Sequence, residues 1–285
     1  MPRSAFRNRA ESIAVRATLL KLRFLPRPAA ELAAYALLRL VDMAVPKLRR
    51  AALRNFELAC PELPASERPA RVNACFRSLA RVLTAVAKFP DINRANVHKW
   101  IRYDGYEHFE SALKLGKGVI FATGHLGNWE LSAFAHALMS QPMSFVVRPL
   151  DNPLLDALST RLRTISGNEV IGRGDLLRPI LRALHSNRAV GILADQNVTQ
   201  DRGVFVDFFG RKACVDPGLA RLAARTGAAV IPGFALWSEE ERSFILKFYP
   251  PLAITGDELA DTQAVQSALE RAIRDYPDQW LWNHR

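Results

Sequence analysis

The sequence predicts an α/β fold, a single mixed sheet flanked by helices and entered through a helical amino-terminal extension. Three observations lead there. Beyond about residue 100, short apolar runs alternate with stretches of helical period, the pattern of strands covered on both faces by helices. Before that point the apolar residues recur at helical spacing, in stretches separated by proline-containing connections around Pro26, Pro46, Pro61 and Pro90. The 285 residues are also ample to bury a core. The break falls near Pro90 to Tyr103, giving a basic helical extension over residues 1–95 and an α/β body over 96–285.

Helices are predicted over 11–24, 29–44, 47–59 and 66–88. The first interleaves basic with apolar residues from Ile13 to Leu25, which suits an amphipathic helix on an anionic membrane surface or a solvated helix packed on the core. The second, Ala29 to Pro46, is mostly apolar but contains Glu31, Arg39 and Asp42. Charges inside a bilayer are costly, so it reads as half-buried or interfacial, not as a span. In the body, strands are predicted over Val119 to Thr123, Ser144 to Arg148, Glu169 to Ile171, Ala189 to Ala194, Ala229 to Leu236 and Ser243 to Tyr249. The helical stretches between and after them are 129–139, 153–166, 174–186, 216–226 and 261–276.

Lys and Arg number 39 against 28 Asp and Glu, a net charge of +11, and residues 1–50 alone carry eleven basic residues against three acids. Such a chain favours anionic partners. Nucleic acid is not among those expected, because no aromatic-and-basic recognition pattern or zinc-ligand spacing occurs. Phospholipid headgroups or an acidic carrier protein remain. Cys60, Cys75 and Cys214 stand at spacings that fit neither a zinc site nor a disulfide framework, and suit a reducing compartment; Cys214 reads as a small core or wall residue. Met1 to Arg9 does not lead into an uninterrupted signal-peptide core, so export is not expected.

The chemistry concentrates in Gly124-His125-Leu126-Gly127-Asn128-Trp129-Glu130, directly after the apolar run Val119–Thr123. A neutral imidazole can take a proton from an alcohol near neutrality if a partner fixes its tautomer and steadies the imidazolium. Glu130, five positions on, is the expected partner. The motif offers no serine or cysteine to form a covalent intermediate and no second histidine or cysteine at metal-ligand spacing. Direct attack of a hydroxyl on a bound thioester is the simplest reading, with backbone N–H groups of the turn holding the oxyanion. The bland alternative is a histidine that only hydrogen-bonds its own loop. His125, Arg148 and Asp195 each end a predicted strand, where ligands bind in open α/β sheets.

Around this pair, Asn128, Arg148, Asp195, Gly203 and Arg211 are the candidate substrate-binding residues. Arg148 can clamp phosphate or carboxylate, or close an ion pair with Asp151. Asp195 can orient Arg148 or an acceptor sugar, or simply form a turn. Gly203 to Gly210 bracket a Val/Phe run that suits the wall of an acyl-chain groove or plain core. Arg211 and Lys212 can meet phosphates. Trp129, Trp280 and Trp282 suit either a membrane interface or packing on the sheet.

The string GHLGNWE resembles the His-x4-Asp/Glu motif of the membrane glycerolipid acyltransferase superfamily, in the branch of the late acyltransferases of lipid A biosynthesis. Further blocks follow in order: Arg148–Pro153, Ala194–Asn197 with Gly203–Gly210, Gly218–Ala223 with Val230–Gly233, and Pro277–Arg285. An earlier block, Asn55–Glu62, completes a resemblance over about residues 50–285. It implies transfer of an acyl chain from an acyl carrier protein or coenzyme A thioester to a glycolipid hydroxyl, with no cofactor and no metal. It also implies peripheral or monotopic attachment to the cytoplasmic face of the bacterial inner membrane. Other acceptors, such as a phosphatidylinositol mannoside or a lysophospholipid, share the motif. A thioesterase or esterase, or a non-catalytic membrane-binding protein, are rivals from other classes.

Overall fold

The computed structural model describes residues 4–172 and 176–283. Four long helices come first: α1 (Ala5–Phe24), α2 (Arg27–Ala44), α3 (Pro46–Ala59) and α4 (Arg68–Lys88). Ser4 caps α1, its Oγ accepting the N–H of Arg7 at 3.2 Å. The other three helices each carry a proline in the first turn, where a missing N–H costs no helical bond. Leu22 of α1 and Ala30 and Ala34 of α2 bury against Ala80 and Ala87 of α4. Small residues there let the backbones approach closely.

The body is a seven-stranded sheet in the order β1-β9-β8-β2-β5-β3-β4. Its strands are β1 (Ile101–Asp104), β2 (Val119–Thr123), β3 (Ser144–Val146), β4 (Glu169–Ile171), β5 (Ala189–Leu193), β8 (Ala229–Ser238) and β9 (Ser243–Phe248). Every pairing is parallel except β8 with β9. Val119 to Ala122 are all buried, as a central strand covered on both faces requires. The covering helices are α5 (Tyr106–Leu113), α6 (Trp129–Met139), α7 (Pro153–Thr164), α8 (Leu177–His185), α9 (Gly218–Thr226) and α10 (Glu258–Asp275). One core cluster joins Phe56, Val72 and Phe76 of the early helices to Ile120 and Ala122 of β2, and Phe56 stacks on Trp282 at 4.1 Å. No helix among the described residues is long and apolar enough to cross a membrane.

The α/β class, the mixed sheet and the four early helices agree with the sequence reading. The start of the helix predicted over 174–186 falls outside the described residues, as do His284 and Arg285 of the C-terminal block. Three features were not foreseen, the short helix α5 among them. β1 is a short edge strand with charged residues, and it exists because β9 pairs with it. The Gly203–Gly210 run is not a bare wall but the first strand of a hairpin, β6 (Val204–Phe208) against β7 (Arg211–Val215). Its turn places Phe209 and Gly210 at φ 53° and 68°, the two positive values of a type I′ hairpin. A phenylalanine holds that conformation because its ring is buried beside Trp280 and Trp282 and its N–H donates to Glu270 Oε2 at 2.7 Å.

Candidate active site

β2 ends at Thr123 and the chain turns through Gly124–Asn128 into α6. Gly124 is needed because a Cβ there would lie 3.0 Å from the Asp195 carboxylate. Gly127 has φ +65°, and a Cβ on it would meet the Ala235 carbonyl oxygen at 2.0 Å. The turn is strapped from the C-terminal side: Gly127 N–H donates to Gln279 O at 2.9 Å, and Leu281 N–H donates to His125 O at 3.1 Å. That strap accounts for the tryptophan-rich C-terminal block.

His125 is held by Asp195, which follows β5. Its ring Nδ1 lies 2.9 Å from Asp195 Oδ1, and its backbone N–H donates to Oδ2 at 2.6 Å. The Trp280 indole N–H donates to the same Oδ2 at 2.8 Å. The Asp195 side chain is only 2% exposed. Burial alone would raise its pKa. The hydrogen bond and charge of the His125 ring, the Trp280 indole and the His125 backbone N–H outweigh that and keep it below the ordinary carboxylate value. An ionised carboxylate only accepts, so in the neutral imidazole Nδ1 of His125 carries the proton and Nε2 the lone pair.

This corrects the expected pairing of His125 with Glu130. Arg163 of α7 takes the Glu130 carboxylate bidentately, Nε to Oε2 at 2.9 Å and Nη2 to Oε1 at 2.5 Å. Glu130 lies in the first turn of α6 and reaches toward α7, while the imidazole turns toward β5. Asp195 was also expected to orient Arg148; its carboxylate instead binds His125 and Trp280 and makes no hydrogen bond to Arg148. The backbone N–H groups of the turn were expected to hold an oxyanion, yet those of His125, Gly127 and Asn128 are bonded to Asp195, Gln279 and Ala235. Arg148 and Arg163 are the arginines that line the cavity next to His125.

His125, Glu130, Arg148 and Arg163 line a cavity of about 640 Å³. It runs beneath α6 along one sheet face, where Phe121, Gly191, Gly233 and Phe248 are its apolar lining. Arg148 is exposed, beyond the end of β3, and forms no ion pair with Asp151, which lines the same cavity. His136 also borders the cavity; its Nδ1 lies 2.7 Å from the Tyr103 hydroxyl, and burial pushes the imidazole down to about 3. Asn152, which caps α7, also binds Asn8 O and Glu11 Oε2 of α1, both at 3.0 Å, and so ties the first helix to the loop after Arg148.

A second cavity of about 230 Å³ lies on the other side of Asp195, lined by Asn55, Leu58, Phe208, Phe209, Arg211 and Trp280 among others. Gln196 borders both cavities. Arg211 thus stands within reach of a ligand. Two expected substrate contacts do not. Asn128 is fully buried, and its Oδ1 caps α6 by accepting the Leu131 N–H at 3.0 Å. Gly203 lines neither cavity; a Cβ on it would meet Val198 Cγ2 at 2.5 Å and Cys214 Sγ at 2.7 Å, so it serves close packing. Trp280 and Arg163 were missed as site residues, because nothing local in the sequence ties an indole 85 positions away to Asp195.

The chain is similar to known acyltransferases over most of its length. The family model described as bacterial lipid A biosynthesis acyltransferase matches residues 5–285. A lipid A biosynthesis palmitoleoyltransferase of Escherichia coli is 31% identical over 87% of this chain and 82% of its own length. A lipid A biosynthesis acyltransferase of Haemophilus influenzae is 26% identical, over 83% of this chain and 74% of its own. A phosphatidylinositol mannoside acyltransferase of Mycolicibacterium smegmatis is 28% identical, over 80% and 75%. The chain is an acyltransferase and belongs to the bacterial lipid A biosynthesis acyltransferase family.

Proposed function

We propose that the protein moves a fatty acyl chain from an acyl thioester, on acyl carrier protein or coenzyme A, to a hydroxyl of a lipid A precursor. The observation that supports this most is the His125–Asp195 pair placed beside a large, mostly apolar cavity. His125 Nε2 takes the proton of the acceptor hydroxyl as its oxygen attacks the thioester carbonyl carbon. Asp195 fixes the tautomer and steadies the imidazolium. Arg148 and Arg163 face the negative charge that develops on the carbonyl oxygen. The tetrahedral species collapses, the carbon–sulfur bond breaks, and the thiolate takes the proton from His125. No cofactor is consumed. Glu130 acts through Arg163, which it holds at the cavity wall.

The apolar lining suits the acyl chain, each buried methylene contributing about 0.8 kcal/mol. The first two helices supply attachment to the cytoplasmic face of the bacterial inner membrane, in a peripheral or monotopic manner. Phe6, Ile13, Leu20 and Phe24 of α1 and Leu32, Leu40 and Met43 of α2 are all more than half exposed, among basic residues that favour anionic headgroups. The relatives named phosphatidylinositol mannoside acyltransferases favour a second reading, the same chemistry on another glycolipid. Purified protein offered one acyl thioester with a lipid A precursor, a phosphatidylinositol mannoside and a lysophospholipid separates the two. Acylation of the lipid A precursor is expected, and acylation of another lipid in its place would overturn the acceptor assignment.

A further inference from the structure

One side chain joins the outward face of α1 to the loop that carries Arg148. Phe6, Ile13 and Leu20 recur every two helical turns, so with Phe24 they form one exposed stripe along α1. The half-buried Asn8 and Glu11 and the buried Leu22 lie on the opposite face, which turns toward the body. There Asn152, only 2% exposed, donates from Nδ2 to Asn8 O and to Glu11 Oε2, both at 3.0 Å. Asn152 also ends the Arg148 loop. At the loop's start Val147 N–H donates to Ile171 O at 3.0 Å. At its end Asn152 Oδ1 caps α7, and Asp156 Oδ1 accepts the Leu150 N–H at 2.8 Å. Arg148 lies between these ties, on the cavity wall with Pro149 and Leu150. Leu150 and Leu154 expose apolar surface beside the same contact.

From Ala5 to Ala10 every residue but Asn8 is exposed, and a helix end with so little cover opens at low cost. In helical form these turns line up Phe6 with Ile13 for a bilayer, and they hold Asn8 O and Glu11 in register for Asn152. A lipid surface and the Asn152 amide therefore select the same state of α1, and each strengthens the other. We propose that Asn152 is a positioning residue that couples contact between α1 and a lipid surface to the loop holding Arg148. The cavity wall is then set when the chain sits on the membrane. This rests on the attachment and acyl-transfer readings above and adds a link between them.

Asn152→Asp separates the clamp from the cap. Aspartate caps a helix as well as asparagine does, but it brings only acceptors to the Asn8 carbonyl and the Glu11 carboxylate. The full chain and this variant are compared on vesicles of phosphatidylethanolamine and phosphatidylglycerol by co-sedimentation, by amide hydrogen exchange, and by initial rates with a vesicle-borne lipid A precursor. In wild type, vesicles are expected to slow exchange at Arg148, Leu150 and Asp151 about tenfold or more. The variant is expected to bind vesicles equally and to keep slowed exchange in α1. It should lose the slowing in the loop, with a fall in kcat of about tenfold and a donor KM within about twofold of wild type. Adding Glu11→Gln supplies an amide that can donate to the new carboxylate, and should restore the loop's protection and most of kcat. Loop exchange that ignores vesicles in wild type, loop protection or kcat retained in Asn152→Asp, or no recovery in the double variant would each overturn the coupling. A wild type that stays off the vesicles overturns it together with the attachment reading. A wild type that binds vesicles and acylates no lipid would instead remove the acyl-transfer reading, with the exchange data still deciding the coupling.

Discussion

Replacing Asp195 by asparagine tests how the imidazole is held, because the substitution keeps the side chain's shape while it removes the carboxylate charge and reverses the direction of one hydrogen bond. Oδ2 of Asp195 receives two N–H donors, the His125 backbone at 2.6 Å and the Trp280 indole at 2.8 Å. In Asp195→Asn the amide oxygen must stay on that side, since an NH2 group there would face two donors. The NH2 then points at His125 Nδ1, which lay 2.9 Å from Oδ1, and donates to it. Nδ1 becomes an acceptor, the proton moves to Nε2, and the nitrogen that faces the substrate can no longer take a proton. General-base catalysis contributes about 10²- to 10⁴-fold, and a wrong-tautomer exchange of this kind costs about 10⁴-fold in the serine-protease triad. A fall in kcat of about 10³- to 10⁴-fold is therefore expected, roughly 4 to 5.5 kcal/mol in the barrier. KM for the donor should change little. The assay is initial-rate transfer of a labelled acyl group, with circular dichroism confirming the fold. A variant that keeps more than about a tenth of wild-type kcat would refute the reasoning, most sharply if Glu130→Gln then showed the thousandfold loss.

Glu130→Gln itself leaves Arg163 with a neutral partner and should cost about tenfold, read more in KM than in kcat if the pair shapes the cavity wall. Trp280→Phe removes one donor from a buried carboxylate, worth about 1.5–3 kcal/mol; a kcat loss of about ten- to hundredfold with unchanged chain-length preference is expected in the same assay. Gly233→Ala puts a methyl group 2.9 Å from the Phe248 ring, so competition between donors of different length should shift toward the shorter chain. No shift would place the acyl chain elsewhere. The folded pKa of His136 is depressed, so the unfolded chain binds a proton there that the folded chain does not. That stability is full above the ordinary value of 6.5 and drains as pH falls toward about 3, at about 1.4 kcal/mol per pH unit. Denaturant titrations across that window should show the slope in wild type and a flatter profile in Tyr103→Phe/His136→Phe, which removes both partners of the hydrogen bond.

The sequence carried the long-period information well and the short-range tertiary information poorly. Central strands such as Val119–Thr123 are buried on both faces and so write themselves as apolar runs; the early helices do so through helical spacing, three of the four with a proline-marked start. Asp195 was visible as a polar residue ending a strand, and β5 beside β2 brings it to His125. Its role was not visible, because a helix-borne Glu130 five residues away looks like a partner until α7 supplies Arg163. The Phe209–Gly210 turn was hidden for a similar reason: burial against two tryptophans overrides the local preference of phenylalanine. Asn128 looked like a ligand-binding amide in its motif and is a helix cap.

One stoichiometry tests His125-dependent acyl transfer most directly. Purified wild type and His125→Ala would be given a saturating acyl thioester and a lipid A precursor, with released thiol and acylated lipid both quantified over time. The account predicts one thiol released per lipid acylated in wild type and loss of both products, by about a hundredfold or more, in His125→Ala. Thiol released with free fatty acid and no acylated lipid, or full acylation by His125→Ala, would contradict it.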